Sequence, residues 1–302
     1  MPAHDHRSIS ALDPKDDQAR AEVEDLLAST ERSTGHPPLA EASLLAWSAG
    51  GPDVGGLLDR TDGVVIGYAH LSRRGRSWTV EIVRRPGAPQ DPRRALLAEA
   101  LAVAERDGAA DVRYWDVQHH GDDSLAADLG FTVERDLLQM RVPLPLSVER
   151  RPVPPDFVVR SLRPGDEQAW LEVNNRAFAA HPEQGHWELE DLLARERTAW
   201  FDPQGFLLCE HDGTLAASCW TKVHGGRTPP LGEIYVISVN PDFQGRGLGR
   251  FMTVAGLDWL ATTVSLGMLY VDASNTTAVV LYRGLGFRVD HVDRCYLRRL
   301  GR

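Results

Sequence analysis

The sequence predicts an α/β or α+β protein built from two copies of one domain, and three observations support this. A proline-rich segment lies at the midpoint of the 302 residues, similar motifs recur on either side of it, and strand-like runs alternate with helix-forming runs in each half. Strands before and after helices in this order imply a sheet with helices on both faces. A half of about 140 residues is an ordinary size for one domain.

The midpoint segment 141–156 is the predicted linker. It contains five prolines: Pro143, Pro145, Pro152, Pro154 and Pro155. Proline fixes φ and lacks a backbone donor, so this density excludes helix and favours a stiff, extended chain. We therefore predict one domain over residues 1–140 and a second over residues 157–302.

The two halves carry matched motifs at an offset of about 155 residues. Leu129-Gly130-Phe131 corresponds to Leu285-Gly286-Phe287, and the strand-like run 80–83 corresponds to 234–237. Each run leads to a proline and then to a helix-forming stretch. An ordered series of matches at one offset indicates an internal repeat.

Within the second half, the elements are predicted in order along the chain. A helix over 166–178 is followed by strands 205–210 and 214–221, which Asp212-Gly213 joins as a strong hairpin turn. A strand over 232–239 then enters a glycine-rich turn. The remaining predicted elements are a helix over 248–260, a strand over 268–272, a short helix over 276–285 and a closing hairpin over 287–297.

Composition restricts the partners and the compartment. The net charge of −10 disfavours nucleic acid or an anionic membrane as the main partner. Cys209, Cys219 and Cys295 form no CxxC pair, so we expect reduced, buried thiols. No apolar stretch is long enough for a signal peptide or a spanning helix, and no ligand set has metal spacing. We therefore expect a soluble, cytoplasmic protein without a metal.

The glycine-rich turn is the most informative segment. A strand from Glu233 to Val239 runs into Gln244-Gly-Arg-Gly-Leu-Gly249, and a helix follows. Glycines let a ligand approach the backbone, and free N–H groups at a helix N-terminus favour an anion such as a phosphate. The spacing matches neither the Walker pattern nor the dinucleotide fingerprint. On residue type alone, a simple turn remains an alternative.

The pattern Gln244-x-x-Gly247-x-Gly249 between a strand and a helix resembles the acetyl-CoA signature of the GCN5-related N-acetyltransferases (GNATs). A second motif, from Asn275 through Tyr282 to Gly286-Phe287, is similar to the segment near the end of that domain. The resemblance implies two tandem GNAT domains, each a mixed, largely antiparallel sheet flanked by helices. It also implies acetyl-CoA as co-substrate and no metal.

The resemblance also implies the cofactor-binding residues. Backbone N–H groups of the turn would hold the pyrophosphate of acetyl-CoA, a strand edge would pair with the pantetheine arm, and the second motif would flank the arm. The implied residues are Ile237, Ser238, Val239, Gln244, Gly245, Arg246, Gly247, Leu248, Gly249, Arg250, Asn275, Thr276, Thr277, Ala278, Val279 and Val280.

Two residues are the candidates for proton transfer. Glu233 begins the strand that leads to the turn, so its carboxylate could accept a proton from the amine, directly or through one water. The alternative is an ordinary glutamate at an exposed strand end. By the resemblance, Tyr282 donates a proton to the CoA sulfur; the alternative is a packed aromatic side chain.

The first half lacks these features at the corresponding positions. Tyr282 falls on Ala126 and Asn275 on His119, and prolines interrupt the stretch 87–94 that replaces the turn. Because proline lacks an N–H, this stretch is a poor phosphate cradle. We predict a single competent site, in the second half, with a degenerate and non-catalytic first copy.

The segments 175–185 and 232–241 resemble those of a tandem, actinobacterial branch of the GNAT family. This resemblance implies acetylation of the cysteinyl amine of cysteinyl-glucosaminyl-inositol. The implied substrate-binding residues are Glu41, Glu183, Lys222, Glu233 and Tyr270. Two alternatives stay open: another amine acceptor (an aminoglycoside, a polyamine or a protein N-terminus), or a CoA-sensing module without chemistry. Because the chain already contains its pseudo-dimer, we expect a monomer.

Overall fold

The computed structural model describes residues 6–119, 121–150, 155–179, 185–225 and 229–301. The helices are α1 (Asp17–Thr34), α2 (Glu41–Ala49), α3 (Arg93–Arg106), α4 (Ser124–Asp128), α5 (Glu167–Ala177), α6 (Leu189–Glu196), α7 (Leu248–Leu260) and α8 (Thr276–Gly284). The strands are β1 (Arg7–Ala11), β2 (Val54–Thr61), β3 (Val64–Arg74), β4 (Ser77–Arg84), β5 (Asp111–Asp116), β6 (Thr132–Pro143), β7 (Phe157–Ser161), β8 (Phe206–His211), β9 (Thr214–His224), β10 (Leu231–Val239), β11 (Leu266–Asp272) and β12 (Arg288–Arg299).

The chain packs as two compact units. The first unit comprises Met1–Leu137 and His291–Arg302, and the second comprises Leu138–Asp290. These units are defined by packing, whereas the predicted domains 1–140 and 157–302 are defined by a sequence repeat. The assignment of the repeat, with a linker over 141–156, therefore stays a prediction.

The first unit contains a sheet in the order β1-β2-β3-β4-β5-β12. Neighbouring strands are antiparallel except β4 and β5, which are parallel. Helix α1 buries Val23 and Leu26 completely, and α3 buries Leu96 and Leu97 completely. These apolar faces pack on the sheet because burying them removes nonpolar surface from water.

The second unit contains a sheet in the order β6-β11-β10-β9-β8-β7. The pairs β7/β8, β8/β9 and β9/β10 are antiparallel, and β10/β11 is parallel. Helices α5 and α7 contact β9 and β10. The predicted fold, a mixed and largely antiparallel sheet flanked by helices, is confirmed.

Local signals in the second unit agree with the structure. Asp212 and Gly213 both have positive φ, 49° and 74°, as a two-residue hairpin turn between β8 and β9 requires. Helix α5 spans Glu167–Ala177, within the predicted range. Trp170, Phe206 and Trp220 form an aromatic core, with the rings of Phe206 and Trp220 stacked at 4.5 Å.

One predicted element is wrong. The closing hairpin over 287–297 is a single strand, β12, which pairs with β5 of the first unit from Arg294 to Arg299. No glycine, proline or asparagine interrupts this stretch, and Asp290 and Asp293 are both accommodated within the continuous strand.

Two further expectations concern composition. Cys209, Cys219 and Cys295 are free and buried, as predicted. Burial raises the pKa of Cys209 to about 11, so its thiol stays protonated near neutral pH. Among the helices of the described residues, none is long and apolar enough to cross a membrane.

Candidate active site

The site of the second unit is built where two parallel strands stop pairing. The register of β10 with β11 runs from Gly232↔Gly267 to Ile234↔Leu269. On its other side, β10 stays paired with β9 as far as Val239, with a bulge between Ile234 and Val236. A bulge bends a strand and re-aims its side chains. The edge of β10 after Ile234 is therefore turned away from β11, which leaves backbone groups for an extended ligand.

The glycine-rich turn connects β10 to α7 through two left-handed residues. Gly245 has φ 77° and Gly247 has φ 79°, and no atom lies within 4 Å of where a Cβ would be at either position. Before them, Asn240 is buried and caps the turn, accepting from the Asp242 N–H at 3.1 Å. The turn therefore presents bare backbone to a ligand at the start of a helix.

The N-terminus of α7 carries the donors that could hold a phosphate. Gly247 occupies the cap position, where no side chain forms a capping hydrogen bond. The bond from the Phe251 N–H to the Gly247 carbonyl closes the first turn, and the preceding N–H groups of an α-helix have no partner within it. Arg246 is exposed, with its guanidinium 5.1 Å from the centre of the Phe243 ring. This donor set fits a pyrophosphate.

The strand residues predicted to contact the cofactor face different ways. The Ser238 hydroxyl is buried and lies 2.8 Å from the Ser218 hydroxyl, so its side chain is not directed to a ligand. Ile237 and Val239 are half-buried against the core. These positions therefore suit main-chain recognition, as in the addition of a strand.

The second motif forms the start of α8. Asn275 is its N-cap, and its side-chain oxygen accepts from the Ala278 N–H at 3.1 Å. This role is structural, so the Asn275 side chain orients α8. Along the helix Val279 is buried while Val280 is 67% exposed. Thr276 and Thr277 are exposed in the first turn.

Glu233 is buried, with 7% of its surface exposed. The simple reading of an exposed strand-end glutamate is therefore wrong. Its Oε2 lies 2.7 Å from Nε2 of His224 at the end of β9. Directly across from Glu233 in the antiparallel register is Lys222. A buried carboxylate beside an imidazole is suited to proton transfer.

Lys222 is held in an aromatic setting. Its Nζ lies 4.5 Å from the centre of the Trp200 ring and 5.4 Å from that of Tyr235. The Tyr235 hydroxyl accepts a hydrogen bond from Arg195 Nε at 2.7 Å. Cations over aromatic faces are stabilised by the ring quadrupole. The ammonium is thus fixed one strand away from Glu233.

Tyr282 lies on α8 and is almost fully buried, with its ring 5.7 Å from that of Phe287. Burial raises the pKa of its phenol well above the ordinary value, so the hydroxyl keeps its proton near neutral pH. Within the described part of the chain, this hydroxyl makes no hydrogen bond. A protonated, unpaired hydroxyl can serve a ligand as a donor.

The remaining predicted substrate residues lie on different segments of the chain. Tyr270 on β11 is 37% exposed, and its hydroxyl accepts from Gln139 Nε2 at 2.9 Å. Glu41 is the first residue of α2 in the first unit. Glu183 lies outside the described residues. The part that Glu41 and Glu183 play in an acceptor site therefore stays a prediction.

Four neighbours of Glu233 and Lys222 are not predicted from the sequence. These are His224, Trp200, Tyr235 and Arg195. A signal for His224 was present, because Lys222-x-His224 alternates along a strand and places both side chains on one face. No local pattern indicated Trp200 or Arg195, which reach the site by tertiary packing.

Comparisons with known proteins agree with this geometry. Residues 168–287 match the model of the acetyltransferase (GNAT) family. The chain is 47% identical to a mycothiol acetyltransferase of Acidimicrobium ferrooxidans over 77% of this chain and 78% of that protein. It is 43% identical to a mycothiol acetyltransferase of Thermomonospora curvata over 97% of this chain and 98% of that protein. A tandem GNAT protein from the clavulanic acid biosynthesis pathway shares the fold, with a TM-score of 0.76, 18% identity and coverage of 98% and 99%.

Proposed function

Because the chain belongs to the mycothiol acetyltransferase family of GNAT enzymes, we propose that it acetylates the cysteinyl amine of desacetylmycothiol with acetyl-CoA. Desacetylmycothiol is cysteinyl-glucosaminyl-inositol, and its acetylation is the last step of mycothiol biosynthesis. The chain is an N-acetyltransferase. The choice of acceptor is supported by sequence similarity, along almost the whole chain, to a relative named mycothiol acetyltransferase.

The glycine-rich turn would hold the pyrophosphate of acetyl-CoA. Its support is the uncapped start of α7 behind two glycines with positive φ. Arg246 and Arg250 would add positive charge in a chain that is acidic overall. Backbone donors at a helix N-terminus bind anions without rearrangement, so the turn is already shaped for its ligand.

The edge of β10 beyond Ile234 would pair with the pantetheine arm. Its backbone N–H groups could then donate to the thioester carbonyl, where negative charge develops during attack. The residues on the other side of the arm would be Asn275 to Val280, at the start of α8. This placement sets the thioester between β10 and α8, near the phenol of Tyr282.

Glu233 would accept the proton that the acceptor ammonium must lose before it attacks. Its support is burial together with a 2.7 Å contact to His224, which fixes one carboxylate oxygen. The other oxygen is left for the amine or for one water. A positioned base of this kind contributes about 10²- to 10⁴-fold to rate.

Tyr282 would protonate the departing thiolate. Its support is a raised pKa, caused by burial, on a hydroxyl that is unpaired within the described residues. A raised pKa keeps the proton on the phenol at neutral pH, where a thiolate leaving group needs it.

The acceptor would be held by charge-assisted hydrogen bonds. Glu183 and Glu41 are carboxylates for an ammonium or sugar hydroxyls, Lys222 is a fixed cation, and Tyr270 offers a hydroxyl on β11. Such groups match a hydroxyl-rich pseudodisaccharide that carries an ammonium.

The proposal also covers the compartment, the oligomeric state, the partners and the first copy of the repeat. We infer a cytoplasmic monomer that has neither nucleic acid nor a membrane as its main partner, as expected from its net charge of −10. The mechanism requires no metal. The first copy of the repeat would be non-catalytic, because proline replaces glycine in the stretch that corresponds to the cofactor turn.

The test is a product assay by mass spectrometry. Purified protein and acetyl-CoA are mixed with desacetylmycothiol, and in parallel with spermidine and an aminoglycoside. We expect one acetyl group on the amine of desacetylmycothiol and none on the other two acceptors. Acetylation of a control acceptor in preference to desacetylmycothiol would contradict the choice of acceptor. Reagents that detect free thiols are unsuitable, because the acceptor carries its own thiol.

A further inference from the structure

His224 is the only described side chain that contacts the Glu233 carboxylate by a hydrogen bond, at 2.7 Å between Nε2 and Oε2. The second oxygen of Glu233, Oε1, accepts no hydrogen bond from the described residues. The carboxylate therefore has one oxygen fixed by an imidazole and one oxygen left for a substrate proton. The histidine determines which oxygen has which role.

The reaction produces a proton that must leave the buried surroundings of the Glu233 carboxylate. An acceptor ammonium and a thioester give an amide, a thiol and one proton, so of the two protons lost by nitrogen, one joins the CoA thiolate. The other is taken by Glu233, whose surface is 7% exposed. Before the next turnover Glu233 must pass that proton to water.

The His224 side chain is more exposed to solvent than that of Glu233. Its side chain is 19% exposed, and it stands at the last residue of β9, next to an exposed glycine, Gly225. An imidazole can accept a proton at one ring nitrogen and release one from the other. Lys222, the residue opposite Glu233, lies over the rings of Trp200 and Tyr235 and has no acceptor capacity as an ammonium.

We propose that His224 is a positioning residue that acts through Glu233, orienting the carboxylate and relaying its proton to solvent. The inference rests on the proposed role of Glu233 as the base. In each turnover, the N–H bond of the acceptor breaks as the Glu233 O–H bond forms. The carboxyl group then turns its O–H toward Nε2 of His224, the O–H bond breaks as the N–H bond forms, and water removes one proton from the resulting imidazolium.

A double-mutant cycle tests this relation. His224→Gln should lower kcat about tenfold or more, with the acceptor KM changed less than threefold, because proton transfer rather than binding is affected. In a Glu233→Gln background the same substitution should change kcat less than twofold, since a residue that acts through Glu233 has nothing left to act on. Added imidazole should partly restore kcat of His224→Ala.

The matched control is His211→Gln. His211 is also a histidine at a strand end of the second unit, 3.6 Å from the carboxylate of Asp212, but it lies on β8. The kcat of His211→Gln should stay within twofold of the wild-type value, and added imidazole should not change it. His224→Asn provides a second substitution should the glutamine variant fail to fold.

Two results would overturn the relay. One is a kcat of both His224→Gln and His224→Asn within twofold of wild type. The other is that His224→Gln lowers kcat by the same factor in the wild-type enzyme and in the Glu233→Gln variant. That result would indicate a structural role for His224 that is independent of Glu233. The cycle is run with whichever primary amine the wild-type enzyme acetylates. A wrong acceptor would therefore count against the proposed function and not against the relay.

Discussion

At the scale of single residues, the two groups proposed for proton transfer share one property, which is that both side chains are buried. Glu233 and Tyr282 are both almost fully enclosed, yet only Glu233 has a side-chain hydrogen-bond partner within the described chain. Burial disfavours the charged form of the Tyr282 phenol, and the Glu233 carboxylate lies 2.7 Å from the imidazole of His224. The pair is therefore suited to opposite tasks: Glu233 to accept a proton and Tyr282 to donate one.

Glu233→Gln should lower kcat about a hundredfold or more, because the amide keeps the shape of the side chain but cannot accept the proton. Steady-state kinetics with acetyl-CoA and the acceptor measures this. The matched control is Glu210→Gln on β8, whose carboxylate pairs with Arg160. Its kcat should stay within twofold of wild type, and an equal loss in both variants would contradict the role of Glu233.

The pH profile of kcat reports on Tyr282. Burial raises the pKa of this phenol above its ordinary value, so the acid form persists throughout neutral and mildly alkaline pH. We expect no loss of kcat through deprotonation of Tyr282 until the pH exceeds about 10. A fall in kcat at lower pH that disappears in Tyr282→Phe would contradict this expectation.

At the scale of elements, local signals predicted the site better than distant ones. The Asp212-Gly213 hairpin and the turn before α7 both depend on glycines with positive φ. Glycine adopts such angles without strain, so its place in the sequence indicates where these turns can form. The contact of His224 with Glu233 depends on the register of two strands, which no local pattern determines. The place of β12 could not be predicted because a strand sequence does not tell which sheet edge it joins.

Helix α7 is seated on β9 and β10 through a glycine. A Cβ at Gly256 would overlap Cys219 Sγ and lie 2.8 Å from Ile234 Cδ1. Gly256→Ala should therefore destabilise the protein by about 1–3 kcal/mol through overpacking. Thermal unfolding followed by circular dichroism measures this.

The matched control is Gly284→Ala, at the exposed end of α8, where no atom lies within 4 Å of a Cβ. This variant should be neutral or stabilised by up to about 1 kcal/mol, because alanine restricts the unfolded chain. Equal melting temperatures for the two variants would show that α7 does not pack as closely as described.

At the scale of the whole molecule, the last strand of the sequence belongs to the first unit. β12 pairs with β5, and Tyr296 is buried there with its ring stacked 5.8 Å from that of Tyr114. The Tyr296 hydroxyl also donates to Asp123 at 2.6 Å. The first compact unit is therefore discontinuous in sequence, whereas the second is the single segment Leu138–Asp290. This arrangement could not be derived from the repeat, which relates sequence segments and not their packing.

Tyr296→Ala should destabilise the first unit by about 3–5 kcal/mol, as expected for loss of a buried aromatic ring. Hydrogen exchange read by mass spectrometry should show faster exchange in β5 and little change in β8. Tyr296→Phe is the milder control, because it keeps the ring and loses only the hydroxyl. Faster exchange confined to the second unit would contradict the assignment of β12.

We propose that the second unit transfers an acetyl group to an amine, with Tyr282 as the acid. The most direct measurement is kcat of Tyr282→Phe with desacetylmycothiol, alongside the Kd for acetyl-CoA. We predict a loss of kcat of about a hundredfold or more, with the Kd changed less than threefold. A kcat within twofold of wild type, with acetyl-CoA bound equally well, would contradict the account.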